Sequence, residues 1–322
     1  MRELDIAIKA AQQAGEILRQ DFHRPGGPRG GGHHADADTE AERVIRAILT
    51  AEFPDDGYRG EETGFHAGRT ADHRIWLVDP NDGTAAYLKG YRGAAVSIAL
   101  LINGVPALGV VYAHSAPNDL GDLFAWAQGM PCIQRNGRPV ERQWPRSPDS
   151  TCVALVSQAA DHLPTTNASV CQPLRFRAVA SIAYRMALVA AGEGDVAVST
   201  NGPGGWDYAA GHALLIGAGG NVVDTHGNPI TYTLDGKSSC GGNCFGGAPA
   251  LTSWLSKRPW KNIWHPANEP EAQFELMGPL KKGRIADGGM LNRAQGAIMG
   301  QIAGDNLGAI AEFEELNHIL QK

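Results

Sequence analysis

"RIWLVDPNDGTAAYLKG", residues 74–90, joins a buried strand to a carboxylate-bearing turn. Ile75 to Val78 form an apolar run that reads as a buried strand and goes straight into Asp79. Pro80 stiffens the chain beyond it, and Asp82 follows, with Gly83 and Thr84 immediately after. A buried strand that ends by presenting two carboxylates on a rigid turn is a device for holding a hard divalent cation, with the Asn81 carbonyl as a further oxygen donor. The same residues, taken alone, also describe an Asx-capped turn.

Upstream, Leu4, Ile8, Ala11, Gly15, Leu18 and Phe22 recur at helical spacing and predict an amphipathic helix over 3–22. Glycines and histidines break the pattern over 23–38, which reads as a flexible loop. Thr39 and Glu42 have capping-box spacing, and Val44, Ile45, Ile48 and Leu49 give the helix that follows its apolar face until Pro54. Strands are expected over 96–102 and 107–112, joined at Asn103-Gly104, a hairpin signal, and over 123–126, 153–157, 196–199 and from 221 to 224. Helices are expected over 181–192 and 207–218, the second stopped by Gly219-Gly220, and a helix should begin near Ala85. The polar, proline-bearing stretch 136–150 reads as a boundary. It divides an N-terminal metal-binding half, 1–150, from a C-terminal half, 151–256; a linker over 257–291 and a helical segment over 292–322 complete the division.

Hydrophobic residues make up 43% of the 322 and charged residues 19%, an ordinary globular balance that permits a large core. Net charge is −6, so there is no basic footprint for a nucleic-acid polymer, and an acidic chain that handles phosphate needs a cation to invert the local sign. The five cysteines, odd in number and irregularly spaced, suggest reduced thiols in a cytoplasm. Cys240 and Cys244 have the spacing of half a zinc site, without a second ligand pair. Glu3 and Asp5 interrupt any signal peptide, and the longest apolar run, 94–102, is too short for a membrane span.

Further acids stand at element ends: Asp38 before the second helix, Glu61 and Glu62 after it, and Asp207 at the start of a later helix. Each alone is an ordinary cap or a solvated charge; together they suit a polynuclear metal site. Here the residues resemble a family. WLVDPNDGT (76–84) resembles one signature of the inositol monophosphatase-like, metal-dependent, lithium-sensitive phosphatases, and GGWDYAAGHALLIGAGGNVVD (204–224) resembles the other. ADADTEAERVIRAILTAEFPDDGYRGEETG (35–64) resembles the segment between that family's first helices and its metal loop.

The resemblance implies an α+β fold, a layered αβαβα sandwich, and hydrolysis of a phosphomonoester by metal-activated water. It implies that Glu61, Asp79 and the Asn81 carbonyl hold one Mg²⁺, and that Asp79, Asp82 and Asp207 hold a second. Asp38 and Thr84 would polarise the attacking water, with Glu61 among the catalytic acids, and the N–H groups of Gly83 and Thr84 would take a phosphate oxygen, as the start of a helix can. Ser181, Thr200 and Asn201 are the candidates for contacts to the rest of the substrate. A homodimer is also implied. The segment Gly30-Gly31-Gly32-His33-His34-Ala35 departs from the family's pattern and leaves a third Mg²⁺ open, and Thr200 replaces an acidic residue that inositol-type members use against sugar hydroxyls.

RAQGAIMGQIAGDNLGAIAEF (293–313) resembles the first helix of the ADP-ribosylglycohydrolases. The segments such an enzyme needs downstream do not follow before Lys322, so a fusion partner is implied but no glycohydrolase activity. The substrate is thus expected to be a small phosphorylated sugar, inositol or nucleotide, with ADP-ribose-related and 3′-phosphoadenosine phosphates included. The rival reading is a catalytically silent module that binds such a ligand on behalf of the fused domain.

Overall fold

The computed structural model describes residues 1–263. Helix α1 (Arg2–Phe22) is followed by a small hairpin of β1 (Gly30–Gly31) and β2 (His34–Ala35), then α2 (Asp36–Glu52). Strands β3 (Gly57–Gly60), β4 (Gly64–His66) and β5 (Ile75–Asp82) lead into the short helix α3 (Thr84–Tyr87). A meander follows: β6 (Ala95–Ile102), β7 (Val105–Ala113), β8 (Asp122–Ala127), β9 (Ile133–Arg135) and β10 (Arg138–Val140). The rest alternates: β11 (Val153–Val156), α4 (Pro164–Cys171), β12 (Arg175–Ala178), α5 (Ile182–Ala190), β13 (Val196–Ser199), α6 (Gly205–Gly217), β14 (Asn221–Asp224), β15 (Cys244–Gly247) and α7 (Pro249–Leu255).

The first sheet runs β10-β9-β8-β7-β6-β5-β3-β4 and the second β12-β11-β13-β15-β14. Side chains along β5 alternate between two cores. Trp76 and Val78 face α1 and α2, while Ile75 and Leu77 face α5 and α6. Helices α5 and α6 are apolar on nearly every side because they lie between the two sheets, and α4 and α7 cover the outer face of the second. The result is the α+β sandwich of five layers, αβαβα. No helix among the described residues is long and apolar enough to cross a membrane.

Asn103-Gly104 forms the expected tight turn, both residues having positive φ, and registers Ile102 against Val105. Asn136-Gly137 does the same between β9 and β10, so 138–140 is a strand. The loop over 23–38 is also more ordered than expected: Arg29 ties it down by bonding Asp21 of α1 and Glu40 of α2. The linker expected over 257–291 lies outside the described residues from 264 onward, as does the segment 292–322.

Close approach of α6 to the first sheet depends on Gly109 of β7. A Cβ there would stand 2.3 Å from the Ala210 carbonyl oxygen and 2.9 Å from the Ala213 methyl. Gly109→Ala is therefore expected to destabilise the fold by about 1–3 kcal/mol. Gly31→Ala, where nothing lies within 4 Å, should be near neutral. Urea titration of both variants checks the difference, and equal midpoints would contradict this packing.

Candidate metal centre

Strand β5 extends past the expected Val78 as far as Asp82, with an irregularity on the way. Asp79 pairs with Ser97 and Asp82 with Ala95, so Pro80 and Asn81 share the space opposite Val96. Proline suits this bulge because it has no ladder N–H to lose. The kink re-aims the chain: the Asp79 carboxylate accepts from Asn81 N at 2.7 Å, and Gly83, at φ 101°, turns the chain into α3.

Three other helices deliver their first turns to the same place. Asp82 accepts from Ser181 Oγ at 2.5 Å and from Ala183 N at 2.7 Å, at the start of α5. Asp207, in the first turn of α6, accepts from Gly204 N at 2.8 Å. Asp38, in the first turn of α2, accepts from Ala35 N at 3.3 Å, Asn81 Nδ2 at 2.9 Å and Thr84 Oγ1 at 3.1 Å. Glu61 follows β3, which runs parallel to β5, and its N–H bonds the Val78 carbonyl at 3.1 Å. Carboxylate oxygens of Glu61, Asp79 and Asp207 come within 4.8 Å of one another.

Burial is the main force on these carboxylates. Asp79 and Asp38 are each 2% exposed. Burial, then the charges of Glu61, Asp207 and Asp82, pushes the Asp79 carboxyl well above the usual range, and Asp207 rises for the same reasons. Asp82 is also raised by burial, against the hydrogen bonds from Ser181 and Ala183. Glu61 is the most exposed of the set, yet desolvation at its carboxyl, helped by Asp82, Glu62 and Asp38, pushes it up to about 7. Asp38 rises to about 6 through burial, opposed by Asn81 and Thr84. An all-oxygen donor set of mutually repelling carboxylates fits a hard divalent cation, which relieves the repulsion that otherwise holds protons on.

Several expected roles change. The capping box begins four residues earlier than Thr39–Glu42: Asp38 occupies it, bonding Ala35 N. Glu42 is instead wholly buried and accepts from Glu62 N at 2.7 Å and Thr63 N at 2.8 Å, which fixes the Glu61 loop. Ser181 is fully buried, and its hydroxyl donates to Asp82 and accepts from Tyr184 N. It positions a carboxylate and the start of α5. Asn201 is exposed and accepts from Ser199 Oγ. Thr200 lines a small cavity with Val198, Asn167 and Trp260, on the side of α4.

His114 and Ser115 went unread in the sequence. Burial holds His114 neutral, down to about 3. The contacts suit one tautomer: Nε2–H donates to Asn81 Oδ1 at 3.3 Å, and Nδ1 accepts from Ser115 Oγ at 2.8 Å. Asn81 then passes the orientation on to Asp38 through Nδ2. The side chain of Asn81 is thus structural, 1% exposed, while its carbonyl accepts from Thr84 Oγ1 at 3.0 Å.

The fold and this acidic seam define a class, and comparison with known proteins agrees. Residues 1–255 match the model of the Inositol monophosphatase family. The chain belongs to that family, whose members are phosphatases and generally metal-dependent. It is 31% identical over 245 residues to inositol monophosphatase 3 of Solanum lycopersicum, covering 71% of this chain and 88% of the relative. It is 32% identical over 234 residues to a histidinol-phosphatase of Chlorobaculum parvum, covering 70% and 86%. The solved structure of an inositol monophosphatase from Anabaena (Nostoc) sp. PCC 7120 superposes with a TM-score of 0.63 at 29% identity, covering 79% of this chain and 94% of that one.

The raised carboxyls set a pH dependence. A carboxyl whose folded pKa lies above its unfolded value of about 4 leaves the folded state holding more protons, so stability falls as pH rises through that window. For Glu61 the window closes near 7. A divalent cation that binds the ionised set should therefore raise Tm more at about pH 8 than at about pH 5, by roughly 5 °C. Thermal scans with and without millimolar Mg²⁺ measure this, and an equal shift at both pH values would contradict it.

Proposed function

We propose that the chain is a Mg²⁺-dependent phosphomonoesterase acting on a small phosphorylated sugar, inositol or nucleotide. The observation that carries the reading is the meeting of Glu61, Asp79 and Asp207 carboxylates within 4.8 Å, beside the Asp38–Thr84 pair. Glu61, Asp79 and the Asn81 carbonyl would hold one ion, and Asp79, Asp82 and Asp207 a second. Paired ions supply Lewis acidity for the attacking water and charge for the leaving oxygen of an in-line displacement. A third ion would draw on the 26–37 segment, where Asp36 is exposed and His34 faces Glu62 at 3.6 Å.

The chain's own residues do the rest. Thr84 has one hydroxyl proton for two acceptors, and with it on Asp38 Oδ2 rather than on the Asn81 carbonyl its lone pairs can accept a proton from water. Asp38, raised to about 6, takes the hydroxyl proton that the incoming one displaces, and a base poised near neutrality is effective at this task. The first-turn N–H groups of Gly83 and Thr84 lack partners within α3 and suit a phosphate oxygen. Gly83 also lets the Ala180–Ser181 segment pack close: a Cβ there would lie 3.3 Å from Ser181 N.

Substrate choice rests on analogy. Relatives are named for inositol phosphate and histidinol phosphate chemistry, and the tail's resemblance adds ADP-ribose-related and 3′-phosphoadenosine phosphates to the panel. A homodimer and lithium inhibition come with the same family reading, and cytoplasmic residence with the odd, irregularly spaced cysteines. The alternative, a silent binding module for a fused glycohydrolase, predicts ligand binding without turnover at saturating Mg²⁺.

Phosphate release across that panel is expected to need Mg²⁺, to stop in EDTA and to be abolished by Asp82→Asn. Thr84→Ala should lower kcat by about 10²-fold and leave Mg²⁺ affinity, measured by calorimetry, nearly unchanged. Turnover that survives EDTA or Asp82→Asn would overturn the proposal. Undiminished substrate binding with no turnover of any panel member would favour the silent module.

A further inference from the structure

Arg185 has no part in the chemistry above. It lies on α5, one turn past the cap Ser181, whose carbonyl accepts from Arg185 N at 3.0 Å. The residue is 2% exposed. Its Nη1 donates to the Val179 carbonyl at 2.6 Å and to the Ala180 carbonyl at 3.0 Å, so the side chain folds back past the start of its own helix. Its Nε is buried without a partner, and no carboxylate oxygen among the described residues comes within 4.0 Å of the guanidinium. A charge taken out of water is costly without an ion-pair partner, and two neutral carbonyls offset little of that cost.

The segment that Arg185 clamps is a wall of the acidic seam. Ser181, next after Ala180, gives its hydroxyl to Asp82 at 2.5 Å, and Ala183 N reaches the same carboxylate oxygen at 2.7 Å. Ala180 also abuts the Gly83 turn: a Cβ on Gly83 would stand 3.4 Å from the Ala180 carbonyl carbon. On the other side, Ser181 N donates to the Gly93 carbonyl at 3.2 Å. The guanidinium is therefore held behind Asp82 and Gly83, where the proposed reaction needs a metal ligand and a phosphate donor. Burial pulls Arg185 down to about 10, which still leaves it protonated near neutral pH, and Asp82 is the foremost charge opposing that fall.

We propose that Arg185 is a positioning residue that also sets the charge of the seam: it fixes the wall from Val179 to Ser181 and supplies a buried positive charge that favours phosphate and disfavours Mg²⁺. The inference rests on the phosphatase reading above. Charge balance gives the reason. Once ionised, Glu61, Asp79, Asp82 and Asp207 balance a pair of Mg²⁺, and an ionised Asp38 then leaves the seam negative. A phosphate dianion would approach a site of its own sign. Arg185 cancels the charge of Asp38, and because it is buried its field is little screened by salt. The same field acts on a metal cation with the opposite sign, so one residue moves two affinities in opposite directions. Packing alone does not do this, because a loosened wall weakens both.

The test uses the full chain and two probes, Mg²⁺ alone and inorganic phosphate at saturating Mg²⁺, each titrated by calorimetry near neutral pH. Arg185→Gln keeps a donor for the carbonyls without the charge. Arg185→Lys keeps both, since the two carbonyls share one nitrogen and an ammonium can serve them. Arg185→Gln should bind phosphate on the order of tenfold more weakly than the wild type and Mg²⁺ more tightly, and Arg185→Lys should restore most of both differences. Arg185→Met removes the charge without leaving a desolvated donor, and it decides the question if Arg185→Gln misfolds. Weaker binding of both probes in the neutral variants would overturn the inference, as would a lysine variant that behaves like the glutamine one. A wild type that binds both probes, matched by its neutral variants, removes this inference and leaves the phosphatase reading standing; a wild type that binds no Mg²⁺ removes both.

Discussion

Like charges crowded at the end of one buried strand are the constraint on which this structure turns. Two carboxylates 4.8 Å apart repel by roughly 3 kcal/mol at an effective dielectric of about 20. Glu61, Asp79 and Asp207 make three such pairs, before Asp82 is counted. The fold answers in part by directing helix N-termini at the acids. Asp38, Asp82 and Asp207 each accept backbone N–H groups at the start of α2, α5 and α6. A helix end contributes about 1 kcal/mol, at best about 2, so these donors orient the carboxylates without neutralising them. A divalent cation would balance the remainder, since burial and mutual repulsion push the Glu61 and Asp79 carboxyls upward.

The same constraint explains the layering. Four segments distant in sequence must reach one point, and each arrives on an element locked by packing. The β5 bulge aims Asp79 and Asp82 into the seam between the first sheet and the sandwiched helices. Gly109 lets α6 lie close enough to bring Asp207 to them. Behind this shell, Glu42 secures the Glu61 loop, Ser181 holds Asp82, and the Ser115–His114–Asn81 chain fixes Asp38. These supporting side chains are fully or almost fully buried, so their conformations are set by the core and not by solvent.

Much of this was legible in the sequence where local signals are strong. The run Ile75–Val78 and the Asn103-Gly104 turn are read correctly because apolar continuity and positive φ are local properties. Asp79, Asp82 and Asp207 stand out because they interrupt or open such elements; their number at element ends suggests a shared metal site, and the assignment of each to an ion came from the resemblance. What stayed hidden depends on distant partners. The β15 segment, Cys244-Phe245-Gly246-Gly247, looks like a loop until β13 and β14 flank it. Helix α4 is polar by sequence, and its register emerges through Val170 and Cys171. Thr39–Glu42 and Ala35–Asp38 share one spacing, and burial of Glu42 against Thr63 decides between them. His114 carries no local mark and Ser181 only that of an N-cap: their positioning roles exist through Asn81 and Asp82, 33 and 99 residues away.

The most direct measurement is anomalous diffraction from crystals soaked in Mn²⁺ with inorganic phosphate. This account predicts two peaks about 3.5–4 Å apart, sharing an Asp79 oxygen, one beside Glu61 and the other beside Asp82 and Asp207. Saturating Mn²⁺ that leaves the seam without a peak, with Asp79, Asp82 and Asp207 pointing apart, would contradict it.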